Sequence, residues 1–291
     1  MKRSLSARLL LIISMAIFGT IGLFVRYIPL PSGELALYRA LLAVALIGVY
    51  LLIRREKIPF SKMKRELPLL FISGVAIGVN WIFLFEAYKH TTVSVATLSY
   101  YFAPVIVTLL CPILFKEKMT RKGVICFVMS TLGLVMITGI GDGGGDDNFV
   151  GILFGLGAAV FYASVILINK RIGNVDSIHR TFLQFISASI VLIPYVLLTD
   201  GINLSALGSV GWICLLVVGI IHTGLTYCMY FASLKGLSGQ SASIISYIDP
   251  LVAVIISVTV LKEAITPWQA VGGILILGFT LWNEMPQKTD K

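Results

Sequence analysis

Charge is scarce in this chain. Only 13% of its residues are charged against 57% hydrophobic, about half the charged share of an ordinary soluble domain. So little charge cannot coat the two soluble domains that length alone would suggest. Instead, apolar runs of about 18–25 residues recur from end to end, each long enough to cross a bilayer as a helix. The net charge of +9 does not point to nucleic acid, because no basic patch interleaved with aromatics lies outside the apolar runs. Basic cytoplasmic connections account for it under the positive-inside rule.

Titratable chemistry is as thin as charge. The three histidines, His90, His179 and His222, fall at different depths, and no acid–base pair or metal-ligand spacing gathers around them. Cys111, Cys126, Cys214 and Cys228 lie inside apolar runs without a CxxC, which reads as thiols packing as small hydrophobes. No phosphate-cradling P-loop is present, so the chain does not draw on ATP. An enzyme, a metal and a cofactor are therefore not expected. The run from Leu9 to Phe24 after Lys2-Arg3 is too long for a signal-peptide core and is read as a first span.

What the chain has is spans. Ten are expected: Ser6–Val25, Leu35–Ile53, Leu67–Tyr88, Thr92–Phe115, Lys122–Ile140, Val150–Asn169, Arg180–Leu198, Ser209–Ser233, Ser238–Leu261 and Pro267–Trp282. Lysine and arginine set the orientation. Apart from Arg26, Lys89, Lys262 and the intra-span Arg39, every one of the 23 falls in a connection or tail of one parity. That asymmetry predicts both termini in the cytoplasm.

The chain also repeats itself. Slid along without a gap, Gly78 meets Gly224, Phe85 meets Phe231, Lys89 meets Lys235 and Ala96 meets Ala242. Tyr101 then meets Tyr247, Pro104 meets Pro250, Lys116-Glu117 meets Lys262-Glu263, and Thr120 meets Thr266. Five spans lie on each side of the connection 141–149, giving two units, 1–141 and 150–284. An odd count makes the second unit enter the membrane inverted, the plan many secondary transporters use for a midplane site. The glycine-rich connection reads as a flexible hinge, since it lacks the spacing of a calcium loop. Gly74-x-x-x-Gly78 and Gly151-x-x-x-Gly155 read as close helix contacts. Tyr38-Arg39 and His179-Arg180 open corresponding spans. The pairing favours an arginine that snorkels to the interface over the other role open to Arg39, a substrate anchor.

Candidate site residues come from helical projection. In the ninth span Gly239, Ala242, Ser243, Ser246, Asp249, Pro250, Ala253 and Ser257 share an arc of about 120°, opposite Ile244, Leu251 and Ile255, with Tyr247 at the edge. Asp249 lies about eleven residues from either end, near mid-membrane, where a carboxylate costs at least about 2.5 kcal/mol. It is either a protonated residue bonded to a neighbouring helix or a substrate or proton-coupling group. Pro104 and Pro250 each free a carbonyl one turn earlier, on Tyr100 and Ser246, and mark helix breaks. The fourth span offers Tyr100 and Tyr101, and the third offers Asn80 and Trp81. The eighth presents His222 and Thr226, with His222 a possible partner for Asp249.

These features together resemble the drug/metabolite transporter superfamily, and within it the ten-span EamA branch, over essentially the whole chain. The resemblance is carried by the two five-span halves, by Pro104 and Pro250, and by Tyr38-Arg39-Ala40. It is carried as well by Phe115-Lys116-Glu117-x-x-Thr120 and Leu261-Lys262-Glu263-x-x-Thr266. It implies an all-α basket around a central cavity, spans 5 and 10 peripheral, moving small organic metabolites, often amino acids and commonly outward. The expectation is a multi-pass transporter of the cytoplasmic membrane whose partners are a small molecule and lipid, not nucleic acid. A monomer is compatible with the sequence, and the oligomeric state is open. The competing reading is a sensor or assembly subunit with the same fold and no transport cycle.

Overall fold

The computed structural model describes residues 2–115, 121–138, 146–172, 175–199, 201–234 and 245–285, and among them there is no β-strand. The first span is α1 (Lys2–Gly19) and α2 (Ile21–Val25), interrupted at Thr20. Then come α3 (Ser32–Arg54), the short α4 (Phe60–Met63) and α5 (Leu67–His90). The fourth span is split into α6 (Val93–Tyr100) and α7 (Ala103–Phe115), followed by α8 (Arg121–Thr138). The second half has α9 (Asp146–Arg171), α10 (Ser177–Leu198) and α11 (Ser209–Leu216). It continues through a π-helical segment, Val217–Leu225, into α12 (Thr226–Leu234). The last helices are α13 (Ile248–Thr259) and α14 (Pro267–Glu284).

Six helical stretches are long and apolar enough to cross a membrane, while the fourth and ninth expected spans appear as shorter apolar helices. The helix after the central connection starts at Asp146, earlier than expected. Asp147 lies in its first turn, where an acidic side chain suits the positive end of the helix dipole. The hinge expected over 141–145 lies outside the described residues.

The polarity of the molecule runs opposite to that of a water-soluble one. Leu52, Ile53, Leu198 and Ile274 are strongly exposed, whereas Arg39, Asn80, Thr97 and Thr223 are buried. An apolar exterior of this extent needs an apolar solvent. The halves interlock rather than stand apart. Helix α5 packs on α9 and α10, α3 packs on α10 and the π segment, and α1 packs on α12 and α13. Helix α8 pairs chiefly with α14. Both small-xxx-small motifs sit at such contacts. A Cβ on Gly74 would lie 2.6 Å from the Ser187 side chain, and one on Gly151 would lie 2.7 Å from that of Thr91.

One of the two Lys-Glu-x-x-Thr signatures is described, and it has a structural meaning. Lys262 takes the left-handed conformation, φ 56°, which ends the ninth span and turns Glu263 back over the bundle. The Glu263 carboxylate then accepts from the Ser257 hydroxyl and from the Val93 amide at the start of α6, and it pairs with Arg26 just after α2. Thr266 caps α14 in a capping box with Gln269, satisfying amides that a helix start otherwise leaves bare. The motif thus closes one helix, caps the next, and ties three elements together at one end of the bundle. Its counterpart at Lys116-Glu117 and Thr120 lies outside the described residues.

Candidate functional site at the two helix breaks

The site begins where two helices stop. Proline has no amide hydrogen and clashes with the preceding turn, so a helix does not run straight through it. Helix α6 ends at Tyr100, Tyr101 and Phe102 form a turn, and α7 restarts with Pro104 in second place. Tyr247 forms the corresponding turn before α13, which restarts with Pro250 in third place. The two breaks face each other. The Tyr101 and Tyr247 rings are 6.4 Å apart, and the Tyr101 hydroxyl donates to Asp249 Oδ2 at 2.7 Å.

Beside the breaks lies a cavity of about 130 Å³. Six tyrosines wall it, Tyr88, Tyr100, Tyr101, Tyr162, Tyr227 and Tyr230, together with Asn80, Trp81 and Ser246. Its charged lining residues are Arg39 and Asp249. Helix α1 closes against Asp249 so tightly that a Cβ on Gly19 would lie 2.7 Å from the Val252 side chain one turn on.

Arg39 corrects the sequence reading. It does not snorkel: it is 4% exposed and turns into the cavity from α3. Its guanidinium carbon lies 4.3 Å from the centre of the Trp81 ring, a cation–π contact, and its Nε donates to Thr223 Oγ1 at 2.6 Å. Position explains the difference. Arg39 follows Ser32 by about two helical turns, ~10 Å along the axis, and shares its face with buried Leu35, Ala36, Ala43 and Ile47. That run of small and apolar residues at helical spacing is the signal that marks the inward face of α3. Its presumed twin Arg180 behaves otherwise, bonding the Ile172 and Val175 carbonyls at a helix start.

The π-helical segment supplies the acceptor for Arg39. Thr223 donates to Val218 O at 2.8 Å and Thr226 to Ile221 O at 2.7 Å, each five residues back, and His222 Nδ1 lies 3.2 Å from Val217 O. Side chains that bond the carbonyl five residues back favour the widened turn, and such bulges recur at functional positions.

The expected site residues divide. Asn80, Trp81, Tyr100, Tyr101, Ser246 and Asp249 line the one cavity. Asn80 is held by donating to Ala158 O at 2.6 Å. Arg39 already lies over one face of Trp81, and Phe185 packs against the same ring. Tyr247 does not line this cavity; it is buried and borders an apolar crevice against α14. His222 does not meet Asp249. Its Nε2 lies 2.8 Å from Thr20 Oγ1, and its ring packs on Phe24. Thr226 is buried and bonded within its own helix. Ser243 lies outside the described residues. Sequence reasoning placed Thr223 and Tyr230 on the polar face of the eighth span and left an anchor role open to Arg39, but it missed the Arg39–Thr223 contact and the tyrosines Tyr88 and Tyr162 from α5 and α9. In those helices the tyrosines stand among apolar residues without a distinguishing pattern.

Comparison with known proteins agrees with this architecture. An uncharacterized transporter of Bacillus subtilis, YxxF, is 33% identical over 277 residues, covering 94% of this chain and 88% of that protein. The threonine/homoserine exporter RhtA of Escherichia coli is 26% identical over 256 residues, covering 86% and 81%. A crystal structure of another protein superposes with a TM-score of 0.64 at 18% identity, covering 94% of this chain and 95% of that one, which speaks to the fold alone. The description of the EamA-like transporter family matches twice, over residues 5–139 and 149–283. Matched across both halves, and with relatives named as transporters, this multi-pass membrane protein belongs to the EamA-like transporter family.

Proposed function

We propose that the protein is a secondary transporter that moves small organic metabolites, amino acids or related compounds, outward across the cytoplasmic membrane by alternating access. The cavity between the two facing helix breaks is the observation that carries this reading. Discontinuous helices around a midplane site are how transporters expose a solute to either side without a permanent pore. Ten spans in two inverted units, 1–141 and 150–284, with both termini inside, supply the symmetry. What supports the inversion is the reciprocity of the packing: α3 on the π segment mirrors α10 on α5, α1 on α13 mirrors α9 on α6, and α8 pairs with α14. The name of one relative, a threonine/homoserine exporter, supports amino acids and the outward direction. A small solute and lipid are the partners; nucleic acid and a second subunit are not required.

Purified protein in liposomes tests the reading. Flux of at least one neutral amino acid above empty vesicles is expected, with and without a proton gradient. Asp249→Asn is expected to change the rate or its dependence on pH. Absence of flux for the whole panel sinks the transporter reading, and binding without flux favours the sensor or assembly subunit.

A further inference from the structure

We propose that the cavity selects small zwitterions with an uncharged side chain, holding the ligand carboxylate on Arg39 and the ligand ammonium on Asp249. The proposal builds on the reading of this cavity as the transport site and adds what that site chooses.

The argument starts from charge. Arg39 and the acid Asp249 line the same cavity, yet among the described residues no ion pair joins them to each other. If both are ionised, holding them apart costs several kcal/mol apiece unless something between them carries the matching charges, and a zwitterion does. Each is also aimed rather than satisfied. Arg39 spends its Nε on Thr223 and its flat face on Trp81. Its two terminal nitrogens have no hydrogen-bond partner among the described residues, and that fork suits a carboxylate bidentately. Asp249 spends Oδ2 on the Tyr101 hydroxyl and leaves Oδ1, an acceptor suited to an ammonium.

The rest of the wall sets the remaining limits. The tyrosines are neutral donors and aromatic faces, so a charged ligand side chain would find no counter-charge and would be desolvated at a loss. Arg39 already lies over one face of Trp81, so a ligand cation placed against that ring would also meet a like charge. Size agrees: at ~10–15 Å³ for each water-sized group, a cavity of about 130 Å³ holds roughly ten non-hydrogen atoms. That admits most neutral amino acids and rejects nucleosides and all but the smallest dipeptides.

The experiment compares matched ligands on the full-length protein in detergent, with binding read from thermal stabilisation. Serine is set against ethanolamine, which lacks the carboxylate, and 3-hydroxypropionate, which lacks the amine. Leucine is set against 3-methylbutylamine and 4-methylpentanoate, and the other neutral amino acids complete the panel. At least one zwitterion is expected to bind, with both of its singly charged analogues weaker by about tenfold or more, the loss of one charge-assisted contact. Arg39→Gln is expected to remove the preference over the amine lacking the carboxylate, and Asp249→Asn the preference over the acid lacking the amine. Thr223→Val is expected to weaken preference for the carboxylate, and Thr223→Ser to retain it. A singly charged analogue that binds as tightly as its parent overturns the proposal, as does failure of every neutral amino acid to bind. The wild-type comparison decides the matter even where Arg39→Gln does not fold. The two readings separate cleanly. Selective binding without liposome flux removes the transporter and keeps the site, whereas flux that ignores one of the two charges keeps the transporter and removes the site.

Discussion

The Tyr101 hydroxyl and the Asp249 carboxylate are a pair whose worth can be measured. They join the two helix breaks at 2.7 Å, and each comes from a different half of the chain. Tyr101→Phe removes the donor and leaves a poorly hydrated acceptor, which costs about 1–3 kcal/mol. Asp249→Asn keeps an acceptor and costs less. In a double-mutant cycle the combined variant is expected to fall short of the sum of the single losses, with a coupling of about 0.5–3 kcal/mol. Strict additivity in thermal or denaturant unfolding would show that the two residues do not interact. The same pair shows what sequence exposes at this scale. A lone acid in mid-span stands out, because the membrane makes it expensive. Its partner Tyr101 is a candidate from the repeat, but not as a partner of Asp249, because a tyrosine is at home in packing, at an interface or in a site. Arg39 was misjudged for a related reason: an arginine two turns inside a helix can reach either water or the bundle interior, and only its face tells which.

At the scale of elements, proline and glycine spoke clearly and the π-helical segment did not. Pro104 and Pro250 mark both breaks because their missing amide acts locally, although Pro194 sits inside the unbroken α10. Val217–Leu225 gave no sign, since its hydroxyls bonding five residues back are the same hydroxyls that would bond four back in an α-helix. Glycines at helix contacts allow a controlled test. A side chain on Gly74 would meet the Gln184 carbonyl and the Ser187 side chain, whereas one on Gly278 meets nothing within 4 Å. Gly74→Leu forces α5 away from a backbone that cannot yield, at a cost of about 1–3 kcal/mol or more, and is expected to lower the unfolding temperature and the yield of folded protein. Gly278→Leu, facing open space on α14, is expected to leave both near wild type. Equal tolerance of the two would mean that α5 and α10 do not pack as described.

At the scale of the whole molecule, parity is the strongest constraint. Two residues can form an ion pair across the fold only if they sit on the same side of the membrane, so an even number of spans must separate them. Arg26 pairs with Glu263, and His90 lies 3.1 Å from Asp147. At the opposite end of α3, His179 lies 3.9 Å from Glu56. In the ten-span reading these pairs are separated by eight, two and four crossings, all even, and the first two sit at the end opposite to the third. A miscounted span between any of them would break the agreement. The count therefore predicts the outcome of labelling. In a background with Cys111, Cys126, Cys214 and Cys228 replaced by serine, Lys89→Cys and Arg55→Cys each place one thiol on an exposed position, at opposite ends of the bundle. A membrane-impermeant thiol reagent on intact cells is expected to reach the first and not the second, and permeabilised cells are expected to show both. The positive-inside bias predicts which end faces out, and the close contacts group the residues that share an end. Labelling of Arg55→Cys in intact cells would invert the orientation, and labelling of both would break the parity on which the inverted repeat rests.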